Sequence, residues 1–125
     1  MSNHLSKQAL GQKGEELARQ YIVEHGWTLV AQNWRCEHGE IDIIAKDDAT
    51  LVFIEVRTRR GQAAMEKALA SVNPRKQERL AQLVDAYRIA REISPEQQVR
   101  VDVVGVALDV DGLFTIELVQ DALNW

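Results

Sequence analysis

Glu40-Ile41-Asp42-Ile43-Ile44-Ala45-Lys46, the acidic turn at Asp47-Asp48, and Thr50-Leu51-Val52-Phe53-Ile54-Glu55-Val56-Arg57-Thr58 are the stretch on which the fold turns. Two runs rich in β-branched and aromatic residues flank a short turn, which predicts adjacent antiparallel strands. Side chains alternate across a strand, so Glu40, Asp42 and Ile44 are expected on one side of the first. By the same alternation Leu51, Phe53, Glu55 and Arg57 share one side of the second. Each acid continues a face whose other residues look like core. An ionised carboxylate in that position needs a partner. Pairing through the turn brings Asp42 and Glu55 close together.

Upstream, the pattern predicts a helix from about Ser6 to His25. Leu10, Gly14, Leu17, Ala18, Tyr21, Ile22 and His25 fall on one stripe, and Gly26 stops it. Trp27 to Arg35 reads as a strand, ending in the turn Cys36-Glu37-His38-Gly39. With Glu40 to Lys46 and Thr50 to Thr58 it makes a three-strand meander. Arg59 to Gln62 reads as irregular, and Ala64 to Ala70 as a short helix. Asn73-Pro74 is a strong helix start. The helix it opens runs to about Glu92, with Leu80, Leu83, Val84 and Tyr87 inward. Val99 to Leu108 is a valine-rich strand buried on both faces. Asp111-Gly112 predicts a two-residue hairpin turn into a last strand, Leu113 to Val119. The order is α-β-β-β-α-β-β, an α/β fold with helices flanking a mixed sheet.

Composition sets the outer limits. The chain has 125 residues, 46% of them hydrophobic, which suits one ordinary domain. No apolar run is long enough to span a membrane, and the polar start, Met1 to Gln8, lacks a signal core. A cytoplasmic protein is expected. Cys36 is the single cysteine, so neither an internal disulfide nor a cysteine zinc cluster can form. His4, His25 and His38 are scattered. Any metal would be oxygen-liganded, Mg²⁺ or Mn²⁺. The net charge of −4 argues against a broadly basic DNA coat and leaves room for a local basic patch.

Two carboxylates in one site repel, and a divalent cation removes that repulsion. Glu55 and Arg57 point to one side, with the Val56 carbonyl between them as a further candidate ligand. A metal, a water and a cation would then surround one phosphate. Geometry alone leaves a plainer alternative open, in which both acids pair with arginines on a solvated sheet face.

Gly39-Glu40-Ile41-Asp42-Ile43-Ile44-Ala45 followed by Val52-Phe53-Ile54-Glu55-Val56-Arg57-Thr58-Arg59 resembles the YraN family of bacterial proteins. Gly11-Gln12-Lys13-Gly14-Glu15, Gln32-Asn33-Trp34-Arg35-Cys36, Lys76-Gln77-Glu78-Arg79-Leu80 and Arg100-Val101-Asp102-Val103-Val104 extend the likeness over most of the chain. That family is similar to archaeal Holliday-junction resolvases of the PD-(D/E)XK, restriction-endonuclease-like superfamily. The resemblance implies a nuclease-like core, metal binding by Asp42 and Glu55, and a supporting acid at Glu15. Helical geometry agrees, because Glu15 lies about 100° from Gly14 at the stripe edge while Glu16 faces solvent. An i,i+4 pair with Arg19 is the alternative for Glu15.

The superfamily motif ends in lysine, and here Arg57 stands in that place. Arginine can hold a phosphate oxygen bidentately but cannot take a proton from water. Lys76, on the inward stripe of its helix, either reaches phosphate or covers the sheet with its stem. Gln77, at the stripe edge, is a weak candidate for orienting a water. Arg59, Arg60, Arg75 and Arg79 are candidate contacts to a DNA backbone. Asp102 is expected to pair with Arg100 in a structural role, and Trp27 to be core rather than a base-stacking surface; Trp34 is a candidate for such stacking. The expected function is a Mg²⁺- or Mn²⁺-dependent endonuclease on branched or single-stranded DNA, dimeric by analogy with junction-cutting relatives. Its rival is a nucleic-acid- or partner-binding module with a decayed site. An adaptor domain without a nucleic-acid role is a third alternative.

Overall fold

A computed structural model of the protein describes residues 5–123. The elements run α1 (Lys7–Glu24), β1 (Thr28–Cys36), β2 (Gly39–Asp47), β3 (Thr50–Arg60), α2 (Ala64–Ala70), α3 (Pro74–Ala90), β4 (Val99–Leu108) and β5 (Phe114–Val119). One five-stranded sheet holds the strands in chain order. β1, β2 and β3 form an antiparallel meander, β3 and β4 are parallel, and β5 returns antiparallel to β4. This is the expected mixed sheet flanked by helices.

Local chemistry explains the helix starts. Ser6 caps α1 by accepting the Ala9 N–H at 3.0 Å, and Asn73 caps α3 by accepting the Lys76 N–H at 3.0 Å. Pro74 follows as the first helical residue. The predicted apolar stripes are the buried ones, with Leu10, Gly14, Ala18 and Ile22 in α1 and Leu80, Leu83, Val84 and Tyr87 in α3. Each helix seals one face of the sheet. Ala18 and Ile22 join Ile43, Ala45, Val52, Ile54, Val104 and Val106. The α3 residues join Ile44, Phe53 and Val101 on the other side. β4 is buried on both faces from Val101 to Leu108, as its valine run predicted.

Two boundaries differ from expectation. β3 does not stop at Thr58. It continues to Arg60, paired through to Arg60↔Leu108, because β4 supplies a ladder that the local sequence cannot announce. The last hairpin is wider than two residues, since Leu108 pairs with Phe114. Asp109 organises that loop, its Oδ1 accepting the N–H groups of Asp111 and Leu113.

Strict alternation also fails in β1 and β2. Ile41 and Ile44, three residues apart, both pack in the α3-side cluster. Ala31 and Trp34, which pair with Ile44 and Ile41, pack against that same cluster. Ile44 therefore does not share a face with Asp42 and Glu40 by simple parity. β1 shifts register between Leu29 and Ala31, and a second break lies between Ala31 and Trp34, where Asn33 has a φ of +50°. Asn tolerates that left-handed conformation better than most side chains.

Candidate functional site

Pairing between β2 and β3 ends at Ile43↔Ile54. Asp42 and Glu55 are the next residue on each strand, so they stand where the two strands part. Asp42 Oδ2 accepts the Val56 N–H at 2.8 Å, so a carboxylate takes the place of a ladder carbonyl. The opening is a cavity of about 290 Å³ lined by Glu15, Glu40, Asp42, Glu55, Val56 and Arg57 from one side. From α3 come Lys76, Arg79, Leu80 and Leu83. The two predicted acids thus share one cavity.

Electrostatics follows from that placement. Glu55 is buried, at 7% exposure, and Asp42 is half-buried. Burial and the neighbouring Glu55 carboxylate push the Asp42 carboxyl up to about 8; Glu15 adds to the rise, and the Val56 N–H opposes it. Arg57 Nη1 lies 3.4 Å from Glu55 Oε2, while its Nε donates to Ser71 Oγ at 2.8 Å. Ser71 in turn donates to the Ala68 carbonyl, so the end of α2 fixes the guanidinium.

Glu15 enters from α1 and accepts from Asn33 Nδ2 at 3.1 Å. It does not pair with Arg19, which donates to Gln32 instead. Glu16 is tied to Lys13 at 3.2 Å on the solvent side, as its helical position predicted. Of the basic residues proposed from sequence, Lys76 and Arg79 line the cavity. Arg59 and Arg60 line a different furrow, under the start of α1. Arg75 is exposed and lines neither. Gln77 donates to the Val72 carbonyl at 3.3 Å. Among the described residues no three His, Cys, Asp or Glu side chains converge as a ready-made metal cage. The donors present are hard oxygens, two of them carboxylates at the strand fork.

Sequence reasoning passed over Asn33 and Ser71. Asn33 lies between Gln32 and Trp34, which pair with the neighbours of Asp42, and it holds Glu15. Its signal was an asparagine inside a strand, a residue type strands disfavour. Asp102 behaves as expected. Arg100 grips it with Nε–Oδ1 at 2.9 Å and Nη2–Oδ2 at 3.1 Å, and the Asp121 N–H adds a third bond. Arg100 also reaches Asp47 and stacks over Trp27, which is core. Trp34 packs edge-on against Tyr87.

A mixed sheet with helices on both faces and two carboxylates at a strand fork defines a class of α/β protein consistent with the restriction-endonuclease-like fold. The chain itself belongs to the uncharacterised protein family UPF0102, whose pattern matches residues 14–106. This is the YraN family that the motifs resemble. It is 45% identical to a UPF0102 protein of Nocardia farcinica over 102 residues, 82% of this chain and 79% of that one. A UPF0102 protein of Acidothermus cellulolyticus is 51% identical over 82 residues, 66% of this chain and 61% of its own length. One from Herpetosiphon aurantiacus is 43% identical over 105 residues, 82% of this chain and 84% of its own. These names give a family and no activity. Among the described residues no helix is long and apolar enough to cross a membrane.

Proposed function

We propose that the chain is a divalent-metal-dependent nuclease that hydrolyses DNA phosphodiesters, on branched or single-stranded DNA. One observation carries this proposal: Asp42 and Glu55 lie together where β2 leaves β3, in a cavity that also holds Arg57, Lys76 and Arg79. Asp42 keeps a proton up to about pH 8 because burial, and after it the neighbouring Glu55 carboxylate, disfavours its charge. A hard cation would relieve that repulsion, and carboxylate oxygens suit Mg²⁺ or Mn²⁺. Asp42, Glu55 and the Val56 carbonyl would hold it. The N–H and C=O of one residue in an extended strand face the same neighbour, so the Val56 N–H bond to Asp42 supports that carbonyl as a ligand.

When bound, the ion would polarise the phosphate and acidify a water. The chain's own residues do the rest. Arg57, steadied by Glu55 and Ser71, offers its remaining N–H donors to a phosphate oxygen and stays charged throughout. Lys76 and Arg79, across the cavity, offset further phosphate charge. Glu15, oriented by Asn33, adds an acid that favours a bound cation.

Incubation of wild type, Asp42→Asn and Glu55→Gln with single-stranded, duplex, flap and four-way-junction DNA, with and without Mn²⁺, tests this. Metal-dependent cutting by wild type is expected, with a loss of about a hundredfold or more in each variant. Arg57→Lys is expected to lose activity as well, since a lysine cannot span Glu55, Ser71 and a phosphate together. DNA binding by wild type without cutting overturns hydrolysis and favours a binding module. That second reading draws on Arg57, which cannot serve as a base.

A further inference from the structure

We infer that the furrow beneath the first turns of α1 is a second phosphodiester-binding site, taking the backbone of the same nucleic-acid strand that lies across the acids. The inference rests on the nuclease reading for the identity of the ligand, and on separate residues for the site. Lys7, Leu10, Arg57, Thr58, Arg59 and Arg60 line the furrow, a cavity of about 620 Å³ with no acid in its wall. A narrower cavity of about 190 Å³ continues it past Gly11 to Glu15, Val56 and Arg57, which also line the acid site. Arg57 therefore borders all three spaces.

Two of the furrow's cations, Lys7 and Arg59, lack a countercharge among the described residues. Elsewhere Lys13, Arg35 and Arg100 each meet a carboxylate. Among the described residues Lys7 and Arg59 have no acidic partner, and Arg59 bonds only to the neighbouring Thr58 carbonyl. Arg57 and Arg59, two apart on one strand, face the same side. Burial and the Arg57 charge hold the Arg59 guanidinium below its usual value. Arg60 bonds to the Leu5 carbonyl and so ties the furrow's wall to the start of α1. Crowded like charges in a partly enclosed space, on a chain of net charge −4, call for an anion.

A lone small anion would not account for the continuity. From Glu55 to Arg59 is four residues of extended strand, about 13 Å. A ligand reaching from the acids to Lys7 and Arg59 must carry negative charge at intervals along a chain, as a phosphodiester backbone does. Lys76 and Arg79 supply further cations in the acid cavity itself, which Arg57 joins to the furrow.

The test is binding without cleavage. Fluorescence anisotropy with a short single-stranded oligonucleotide, in EDTA and over a range of salt, reads the furrow. Mn²⁺ titration followed by electron paramagnetic resonance reads the acids independently. Lys7→Ala/Arg59→Ala is expected to raise Kd about tenfold or more and to flatten the salt slope by about 1.4, two lost single-strand contacts. Its Mn²⁺ affinity stays as in wild type. Lys7→Arg/Arg59→Lys, which keeps both charges, retains binding and guards against misfolding. Lys13→Ala, whose partner is Glu16, leaves binding unchanged. An unaltered slope in the double alanine variant overturns the inference, as does a wild type that takes up Mn²⁺ but no oligonucleotide. Competition by inorganic phosphate at the same concentration of phosphate groups also overturns it, leaving a site for single anions. Oligonucleotide binding lost in the double variant, with no Mn²⁺ uptake by wild type, upholds the furrow while the metal-dependent reading falls.

Discussion

Asp42 carries two opposed demands on one side chain. Its Oδ2 accepts the Val56 N–H, which favours the charged form, while burial and Glu55 favour the neutral one. The second pair prevails, and the carboxyl rises from 3.8 to about 8. The sign of the consequence is unusual for an aspartate. Between those two values the folded chain holds a proton that the unfolded chain has released. Stability therefore falls as pH rises through that window, by at most about 1.4 kcal/mol per pH unit. Asp42→Asn keeps an oxygen for the Val56 N–H and removes the charge. Thermal melts from pH 5 to pH 8 in EDTA should show wild type losing stability relative to the variant as pH rises. Contributions from groups remote from Asp42 are common to both proteins and cancel in the difference. A difference curve that is flat over the interval would show that Asp42 ionises at its ordinary value.

At the scale of elements, α1 and β3 meet through a glycine. A Cβ on Gly14 would lie 1.9 Å from Thr58 Oγ1, too close for any rotamer change at Gly14 itself to cure. The close approach sets α1 near the far half of β3, where Glu15 reaches the acids and Lys7 the furrow. Gly14→Ala gains about 0.8–1.0 kcal/mol of helix propensity and loses more by overpacking, typically 1–3 kcal/mol. A net loss of up to about 2 kcal/mol in urea unfolding is expected. Thr58→Ala in the same chain removes the closest atom but keeps its own Cβ at 2.9 Å, so it should recover part of the loss and show as a positive coupling in the double-mutant cycle. Additive effects would mean that the helix does not sit on Thr58.

The α1 stripe was legible in the sequence because a helix buries residues at a fixed local period, and Asn73-Pro74 marked α3 for an equally local reason. Arg59 and Arg60 look irregular in sequence because their strand partner, Ala107-Leu108, lies far along the chain. Asp42 and Glu55 were legible as acids interrupting apolar strands. Asn33 was not, because its role depends on β1 departing from strict alternation, which no period-two count can anticipate. Ser71 was hidden likewise, since it acts only once α2 packs against β3.

For the molecule as a whole, the two helices seal opposite faces of the sheet and deliver their N-terminal halves to one region. Glu15 arrives from α1, and Lys76 and Arg79 arrive from α3. Acids collect at the strand fork, with cations in the same cavity and in the adjoining furrow, although the net charge is −4. Such a fork is held at some cost in self-repulsion, so an ion that binds only the folded chain must stabilise all of it. At a hundredfold excess over its Kd, one bound ion contributes about 2.7 kcal/mol. For a chain of this length that corresponds to a rise in Tm of very roughly 10 °C. Under the proposed metal reading, binding would also displace the Asp42 proton, so the rise at fixed Mn²⁺ should grow between pH 6 and pH 8 as that proton becomes easier to remove. Asp42→Asn/Glu55→Gln should abolish both the rise and its pH dependence. Differential scanning calorimetry with Mn²⁺, and with Mg²⁺ as the physiological counterpart, measures each quantity. An equal shift in the double variant would assign the stabilisation to diffuse binding over the acidic surface, and the fork would lose its claim to a metal.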